Sequence, residues 1–219
     1  MGNIETVSNA AITTDQLTGW LRRFHDLVIK NQAELTELDS AIGDADHGIN
    51  MVRGMSAVMQ KLDGMRPADI DELLKTVAMT LLASVGGASG PLYGTFFLRF
   101  GRAAGSASEL DLAALAAGLR AGLAGVVERG KADPGDKTMV DALTPALDAV
   151  DAVIENGGDL VSAVAAAHAA AAAGRDATVP LIARKGRASY LGERSAGHMD
   201  PGAASMSLLF AALAAELEG

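Results

Sequence analysis

The sequence contains no cysteine, few aromatic residues and fewer basic than acidic residues. Without cysteine the chain cannot form disulfide bonds, thiolate metal sites or a cysteine nucleophile, which fits a cytoplasmic protein. Lysine and arginine number 18 against 27 acidic residues, giving a formal charge of -9. Because no Lys/Arg-rich run provides the footprint that a nucleic-acid backbone requires, we expect no nucleic-acid partner.

Long hydrophobic runs are also lacking. The Ala-rich run "AVAAAHAAAAAG" is short and carries His168 in its middle, so it predicts no membrane span. Apolar residues make up 49% of the chain but aromatic residues only 4%, so its bulk comes from Ala, Leu, Val and Met, which suit helix packing. No segment alternates with a period of two, and we predict no sheet. At 219 residues, we expect a frayed N-terminus at 1–11 and one all-α domain at 12–219.

Apolar residues recur at spacings of three, four or seven along most of the chain, which is typical of amphipathic helices. They predict about eight antiparallel helices. The first runs from Thr14 to about Ile42, the second covers about 50–62, and the third covers 67–85 with Pro67 in its first turn. The fourth starts near Pro91, and the fifth ends at Gly130. The last three cover 139–156 with a bend at Pro145, 159–183 with an interruption near Gly174, and 201–217.

The stretch "ELDSAIGDADHGINM" concentrates acidic residues at the end of the first helix. Asp39 follows Leu35 by four residues, so we expect its side chain on the interior side, while Asp44 and Asp46 lie on a glycine-bounded turn. Three carboxylates without sulfur favour a hard cation such as Mg²⁺. A cluster of helix caps and turn residues is the alternative from the residues alone.

Two other metal or catalytic interpretations of this stretch fail. An EF-hand loop starting at Asp44 would need glutamate at residue 55, which is Met. A zinc or hydrolytic role for His47 lacks an HExxH or GxSxG companion, so His47 is better explained as a hydrogen-bonding residue.

Two glycine-containing helix entries, "VGGASGP" and "DPGAAS", offer unsatisfied backbone N–H groups that can bind anions. No P-loop motif occurs in the chain. Acids for Mg²⁺ together with anion-binding helix entries are typical of a nucleotide phosphate site, and phosphoryl transfer is the reaction that such a site favours.

Four ordered motifs, "LDSAIGDADHGINM", "SVGGASGPLYGTFF", "GDKTMVDALTPA" and "GRASYLGERSAGHMDPGAASM", resemble the ADP-binding L subunits of bacterial dihydroxyacetone kinases. The resemblance implies a closed barrel of eight antiparallel amphipathic helices, with ADP and two Mg²⁺ bound at one end under a loop. Asp39, Asp44 and Asp46 would bind the metal. The residues that would contact the nucleotide are His47, Gly48, Ile49, Asn50, Ala88, Ser89, Gly130, Met139, Arg187, Asp200, Pro201 and Gly202.

The resemblance also implies partners. A K subunit would hold dihydroxyacetone, and an M subunit of the phosphotransferase system would rephosphorylate the resident ADP. A kinase component that exchanges free ATP and acts on dihydroxyacetone or another short ketose, and a nucleotide-sensing regulatory module, remain alternatives. Association as a homodimer is left open.

Overall fold

The structure, a computed structural model, describes residues 11–218. This part of the chain is almost entirely helical, as predicted. Its elements are β1 (Ala11–Thr13), α1 (Thr14–Lys30), α2 (Gln32–Ile42), α3 (His47–Leu62), α4 (Ile70–Ser84), α5 (Ser89–Ala104), β2 (Glu109–Asp111), α6 (Leu112–Gly130), α7 (Val140–Glu155), α8 (Leu160–Ala177), a 3₁₀ segment (Arg187–Ser195) and α9 (Pro201–Glu218).

Eight of these helices close into a ring. Each packs against the next in the order α1, α3, α4, α5, α6, α7, α8 and α9, and α9 packs back against α1. Helix α2 is not part of this ring and contacts α1, α3, α9 and the 3₁₀ segment. The first residues of α3, α5, α7 and α9 line one common cavity, which the last residue of α6 also reaches. Successive helices therefore run in opposite directions, and four of them begin at the same end.

Aromatic side chains are few but contact one another in the interior. The ring centroids of Trp20 and Phe97 lie 5.9 Å apart, and those of Phe24 and Tyr93 lie 6.2 Å apart. The indole N–H of Trp20 donates to the backbone carbonyl of Leu209 at 2.8 Å and so links α1 to α9. Large rings fill the interior at these points, while the alanine-rich α7, α8 and α9 pack closely around the rest.

Two predictions about element boundaries were wrong. The long first helix is divided at Asn31, because the Asn31 side chain donates to the Leu27 carbonyl at 2.7 Å and competes with the helical pattern. Helix α8 continues through Gly174, because the glycine there allows close packing: a Cβ would lie 2.3 Å from the Asp141 carbonyl oxygen of α7. Smaller shifts occur at α3, which starts at His47, and α4, which starts after Pro67.

The prediction of no sheet was also wrong, since β1 and β2 form a short antiparallel pair in which Ile12 lies opposite Leu110. Each strand leads into a helix whose cap is an oxygen side chain, Thr13 for α1 and Asp111 for α6. Strands of three residues are too short to show a period in the sequence. The predicted frayed end at 1–11 lies outside the described residues except for Ala11, which belongs to β1. Among residues 11–218, no helix is both long and apolar enough to cross a membrane.

Candidate functional site

Three aspartates lie together between the end of α2 and the start of α3. Asp39, on the last turn of α2, is buried, while Asp44 and Asp46 belong to the turn that follows. One carboxylate oxygen from each residue lies within 4.8 Å of those from the other two. An all-oxygen donor set of this size fits a hard divalent cation such as Mg²⁺. The structure therefore brings together the three residues predicted as metal ligands.

The turn is built around the carboxylate of Asp39. Its Oδ2 accepts hydrogen bonds from the backbone N–H groups of Asp46 at 2.9 Å and His47 at 3.1 Å. A Cβ on Gly43 would lie 2.0 Å from the other oxygen, Oδ1, so a larger residue there would displace the carboxylate. Ala45 adopts the left-handed region with a φ of 61°. The turn thus holds the Asp39 carboxylate in one position.

The alternative explanation, a cluster of turn and cap residues, accounts for only part of this geometry. Asp46 occupies the N-cap position of α3 but makes no side-chain cap bond. Asp39 accepts the backbone N–H groups instead, and Asp44 forms an ion pair at 3.0 Å with Arg187 from the 3₁₀ segment. Two carboxylates of the three therefore have no role in capping the helix, which favours the metal interpretation.

Beside the aspartates lies a cavity of about 500 Å³. Its wall includes the first residues of four helices, whose first-turn N–H groups lack helical partners and carry partial positive charge. Such a wall suits an anion with several oxygens. Of the residues predicted from sequence, the following line this cavity: Asp39, Asp44, Asp46, His47, Ala88, Ser89, Gly130, Met139, Arg187, Asp200, Pro201 and Gly202.

Three residues predicted as nucleotide contacts lie outside the lining. Gly48 packs against α2, where a Cβ would lie 2.2 Å from the Gln32 carbonyl oxygen. Ile49 is 44% exposed and lines a separate surface groove. Its side chain points about 100° away from the Gly48 position around α3, as expected for adjacent residues of a helix. Asn50 is buried, and its amide lies close to Gly86, a cavity residue. Their role as contacts stays a prediction.

Several residues that line the cavity were not predicted from the sequence. Leu92, Val126 and Ala132 form an apolar part of the wall next to Met139. Their sequence pattern was that of ordinary core residues, so nothing distinguished them. Other missed residues are polar or charged: Arg129, Lys137, Thr138 and Lys185. Lys137 and Thr138 lie within the motif "GDKTMVDALTPA", and a lysine among acidic and glycine residues was the signal available.

Lys137 connects the site to the chain segment that leads into α9. Its side chain is buried, and its ammonium group donates to the carbonyl oxygens of Thr178 at 2.8 Å, Leu181 at 3.0 Å and His198 at 2.5 Å. These acceptors stand on either side of the 3₁₀ segment that carries Arg187. Burial lowers the pKa of Lys137, while Asp200 and Asp141 act against this change. One amine therefore fixes both ends of the segment beside the cavity.

Two titratable groups in the wall are strongly affected by burial. Burial raises the pKa of Asp200 to about 7, with further repulsion from Asp141, while a hydrogen bond from the Ala203 N–H acts in the opposite direction. Burial lowers the pKa of His47. The imidazole lies between two hydroxyl groups, with Nδ1 3.1 Å from Ser89 Oγ and Nε2 2.9 Å from Ser205 Oγ. At neutral pH the His47 ring is therefore neutral, because its pKa lies below the usual value.

Known proteins resemble this chain in sequence and in fold. The family model described as the DAK2 domain matches residues 41–215. The ADP-binding subunit DhaL of the PEP-dependent dihydroxyacetone kinase of Escherichia coli is 46% identical over 204 residues, covering 93% of this chain and 97% of the relative. The ADP-binding subunit DhaL of the PTS-dependent dihydroxyacetone kinase of Lactococcus lactis is 44% identical over 202 residues, covering 92% and 97%.

Larger proteins and solved structures match as well. The L-erythrulose kinase of Pectobacterium atrosepticum is 34% identical over 99% of this chain, which spans 38% of that protein. The crystal structure of the dihydroxyacetone kinase from C. freundii superimposes with a TM-score of 0.71 and 27% identity over 98% of this chain and 37% of that one. Its complex with AMP-PNP and Mg²⁺ gives a TM-score of 0.69 with 26% identity over the same shares. With a family model covering most of its length and relatives matched almost end to end, the chain belongs to the DAK2 domain family.

Proposed function

We propose that the chain is the nucleotide-binding subunit of a phosphoenolpyruvate-dependent dihydroxyacetone kinase in the cytoplasm. It binds ADP with two Mg²⁺, and the γ-phosphoryl group formed on this nucleotide passes to dihydroxyacetone held on a separate K subunit. An M subunit of the phosphotransferase system rephosphorylates ADP in place. The observation that carries this proposal is the convergence of three carboxylates, within 4.8 Å, beside a cavity walled by four helix starts.

The wall of the cavity divides into parts that suit the two ends of a nucleotide. The start of α5 at Ser89 and Gly202 in the first turn of α9 provide backbone N–H groups for phosphate oxygens, since Pro201 itself has none. Met139, Leu92 and Val126 provide an apolar surface for a purine ring. ADP and the aspartates both carry negative charge, so bound Mg²⁺ supplies the neutralisation that phosphoryl transfer requires. Asp39, Asp44 and Asp46 are the residues that would hold it.

The resident-nucleotide part of the proposal is tested on the purified protein. We expect ADP to co-purify, to resist dialysis in the presence of Mg²⁺, and to support transfer to dihydroxyacetone only when the K and M subunits and phosphoenolpyruvate are present. Mass analysis of the bound nucleotide and a coupled transfer assay measure these two properties. Rapid exchange of ADP for ATP, with many turnovers on ATP alone, would contradict the proposal.

The metal assignment is tested with Asp44→Ala. This change removes one carboxylate of the three without altering the buried part of the turn, so we expect loss of Mg²⁺-dependent transfer with unchanged helical circular dichroism. Asp63→Ala, which removes an exposed aspartate at the other end of α3, is the matched control and should transfer normally. Retained transfer in Asp44→Ala would show that the carboxylates do not hold the metal.

A second candidate is a kinase component that exchanges ATP and phosphorylates another short ketose. The observation that favours it is the match to the L-erythrulose kinase, which covers 99% of this chain. The transfer assay discriminates the two candidates when it is repeated with ATP in place of the M subunit and with erythrulose in place of dihydroxyacetone.

A further inference from the structure

Four polar side chains form a hydrogen-bonded row below the phosphate end of the cavity. Ser89 Oγ lies 3.1 Å from His47 Nδ1, and His47 Nε2 lies 2.9 Å from Ser205 Oγ. Ser205 Oγ in turn lies 2.8 Å from the Tyr93 hydroxyl and 3.1 Å from the Gly202 carbonyl oxygen. The row joins the first two turns of α3, α5 and α9, whose first residues line the cavity.

The inner part of this row is closed to water. Tyr93 and Ser205 are 1% and 0% exposed and His47 is 7% exposed, whereas Ser89 is half-buried and lines the cavity. Buried polar groups of this kind need partners for every proton, since an unpaired donor is costly. Only Ser89 can therefore exchange a partner in the row for a ligand or for solvent.

Two arrangements of the hydroxyl and imidazole protons give every buried donor of the row an acceptor. Within residues 11–218 Tyr93 has Ser205 as its hydrogen-bond partner, so the Tyr93 hydroxyl donates to Ser205 in both. In the first arrangement Ser205 donates to the Gly202 carbonyl, the neutral ring carries its proton on Nε2, and the Ser89 hydroxyl donates to Nδ1. In the second, Ser205 donates to Nε2, the ring carries its proton on Nδ1 and donates to Ser89, and the Ser89 proton points to the cavity.

The two arrangements differ in what they offer a ligand. In the first, every proton has an acceptor within the described part of the protein, and Ser89 presents only lone pairs to the cavity. In the second, the Ser89 proton has no protein acceptor there, but a phosphate oxygen in the cavity would accept it. A hydrogen bond to an ionised oxygen is about twice as strong as a neutral one, which favours the second arrangement once an anion is bound.

We propose that Tyr93 and Ser205 act through His47 as positioning residues that set the hydrogen-bonding direction of Ser89. Without nucleotide the ring is the Nε2–H tautomer, and binding of a phosphate group converts it to the Nδ1–H tautomer so that Ser89 donates to a phosphate oxygen. No proton is gained or lost overall: Nδ1 takes up a proton from solvent at the Ser89 side, and the Nε2 proton leaves to solvent when the first turn of α3 opens transiently, while the two hydroxyl groups rotate. This inference rests on the proposed nucleotide site.

The tautomer is measured directly by ¹⁵N NMR of the full chain labelled at histidine. The chain has four histidines, and the signals of His25, His168 and His198 are assigned by replacing each with Gln. We expect the Nε2–H tautomer for His47 in the nucleotide-free protein and the Nδ1–H tautomer with ADP and Mg²⁺. The same tautomer in both states, or a charged ring in either, overturns the relay while leaving the proposed function intact. Failure to bind ADP at all overturns both.

Two variants test the positioning residues. Ser205→Ala removes the inner partner of His47, and we expect the dissociation constant for ADP to rise about tenfold and the tautomer change to disappear. Its matched control is Ser207→Ala, which removes another buried hydroxyl of α9 that also donates to a carbonyl three residues earlier. If both variants bind ADP equally well, the relay is wrong.

Tyr93→Phe removes a single hydroxyl group and keeps the packing of the ring. We expect about threefold weaker ADP binding and a smaller tautomer change. The Tyr93 hydroxyl donates to Ser205 while Ser205 donates its own proton to His47, and the variant removes the first of these two hydrogen bonds. Tyr190→Phe makes the same chemical change at an 87% exposed position and should bind ADP as the unmodified chain does. An unchanged tautomer response in Tyr93→Phe would remove Tyr93 from the relay.

Discussion

Asp200 gives the sharpest prediction about pH. It is buried at the start of α9, where its Oδ2 accepts the Ala203 N–H at 2.7 Å, and its pKa is raised to about 7. Replacing Asp200 with Asn keeps an oxygen for this bond but removes the ionisable group. We therefore expect the stability of Asp200→Asn, relative to the unmodified protein, to increase as the pH rises.

The size of the effect follows from the two pKa values. The carboxyl ionises near 3.8 when the chain is unfolded and near 7 when it is folded. Because the folded pKa is the higher one, the stability that the protonated group contributes is complete below the unfolded value and is lost as the pH rises to the folded value. The loss is about 1.4 kcal/mol per pH unit in this window. Between pH 5 and pH 8 the free energy of unfolding should fall by about 3 kcal/mol.

Urea unfolding at pH 5, 6, 7 and 8, without nucleotide and with EDTA, measures this change. The difference in free energy between Asp200→Asn and the unmodified protein cancels the titration of all other groups and should rise by about 3 kcal/mol across the series. Asp159→Asn is the control: Asp159 also caps a helix, α8, but hydrogen bonds from Ser162 lower its pKa, so its contribution is constant above pH 5. A difference for Asp200→Asn that stays flat with pH would show that Asp200 is already ionised in the fold.

Two further substitutions test the supports of the site. Gly43→Ala adds a methyl group whose carbon would lie 2.0 Å from Asp39 Oδ1 and so would displace this carboxylate. We therefore expect Mg²⁺-dependent ADP binding to weaken at least tenfold in calorimetric titrations. Binding as strong as in the unmodified protein would show that the turn adapts. Lys137→Met leaves buried carbonyl groups without their donor, and we expect a loss of about 3 kcal/mol in urea unfolding together with faster proteolysis after Arg184 and Lys185. Equal stability and equal cleavage would show that the segment is held by other contacts.

The sequence predicts the helices well because their apolar positions repeat over many turns, as in α1 and α7. It predicts their ends less well, since an end depends on a few local bonds. The division at Asn31 results from one side-chain bond to the Leu27 carbonyl, and the continuation through Gly174 results from contact with another helix. Neither leaves a period in the chain. The β1–β2 pair joins residues about a hundred positions apart, which no local pattern reveals.

The aspartate cluster was predictable because its three members lie within eight positions of the chain and differ from their surroundings in polarity. The apolar wall was not, because Leu92 and Val126 line a cavity only after α5 and α6 have packed side by side. From the sequence they are indistinguishable from the core residues of those helices. A site assembled from several helix ends is visible in the sequence only where polar residues stand at those ends.

Gly48, Ile49 and Asn50 illustrate the opposite limit, where a compact motif does not reveal which part of each residue faces a ligand. In "DHGIN" the helix α3 begins at His47, so successive side chains turn by about 100° and face different neighbours. His47 faces the cavity, Gly48 faces α2 and Ile49 faces outward. Side chains of adjacent residues on a helix cannot all reach one ligand, although their backbone N–H groups in the first turn can. Any contact of Gly48 or Ile49 with phosphate therefore uses the backbone, and replacing the Ile49 side chain should affect ADP binding far less than replacing Ser205.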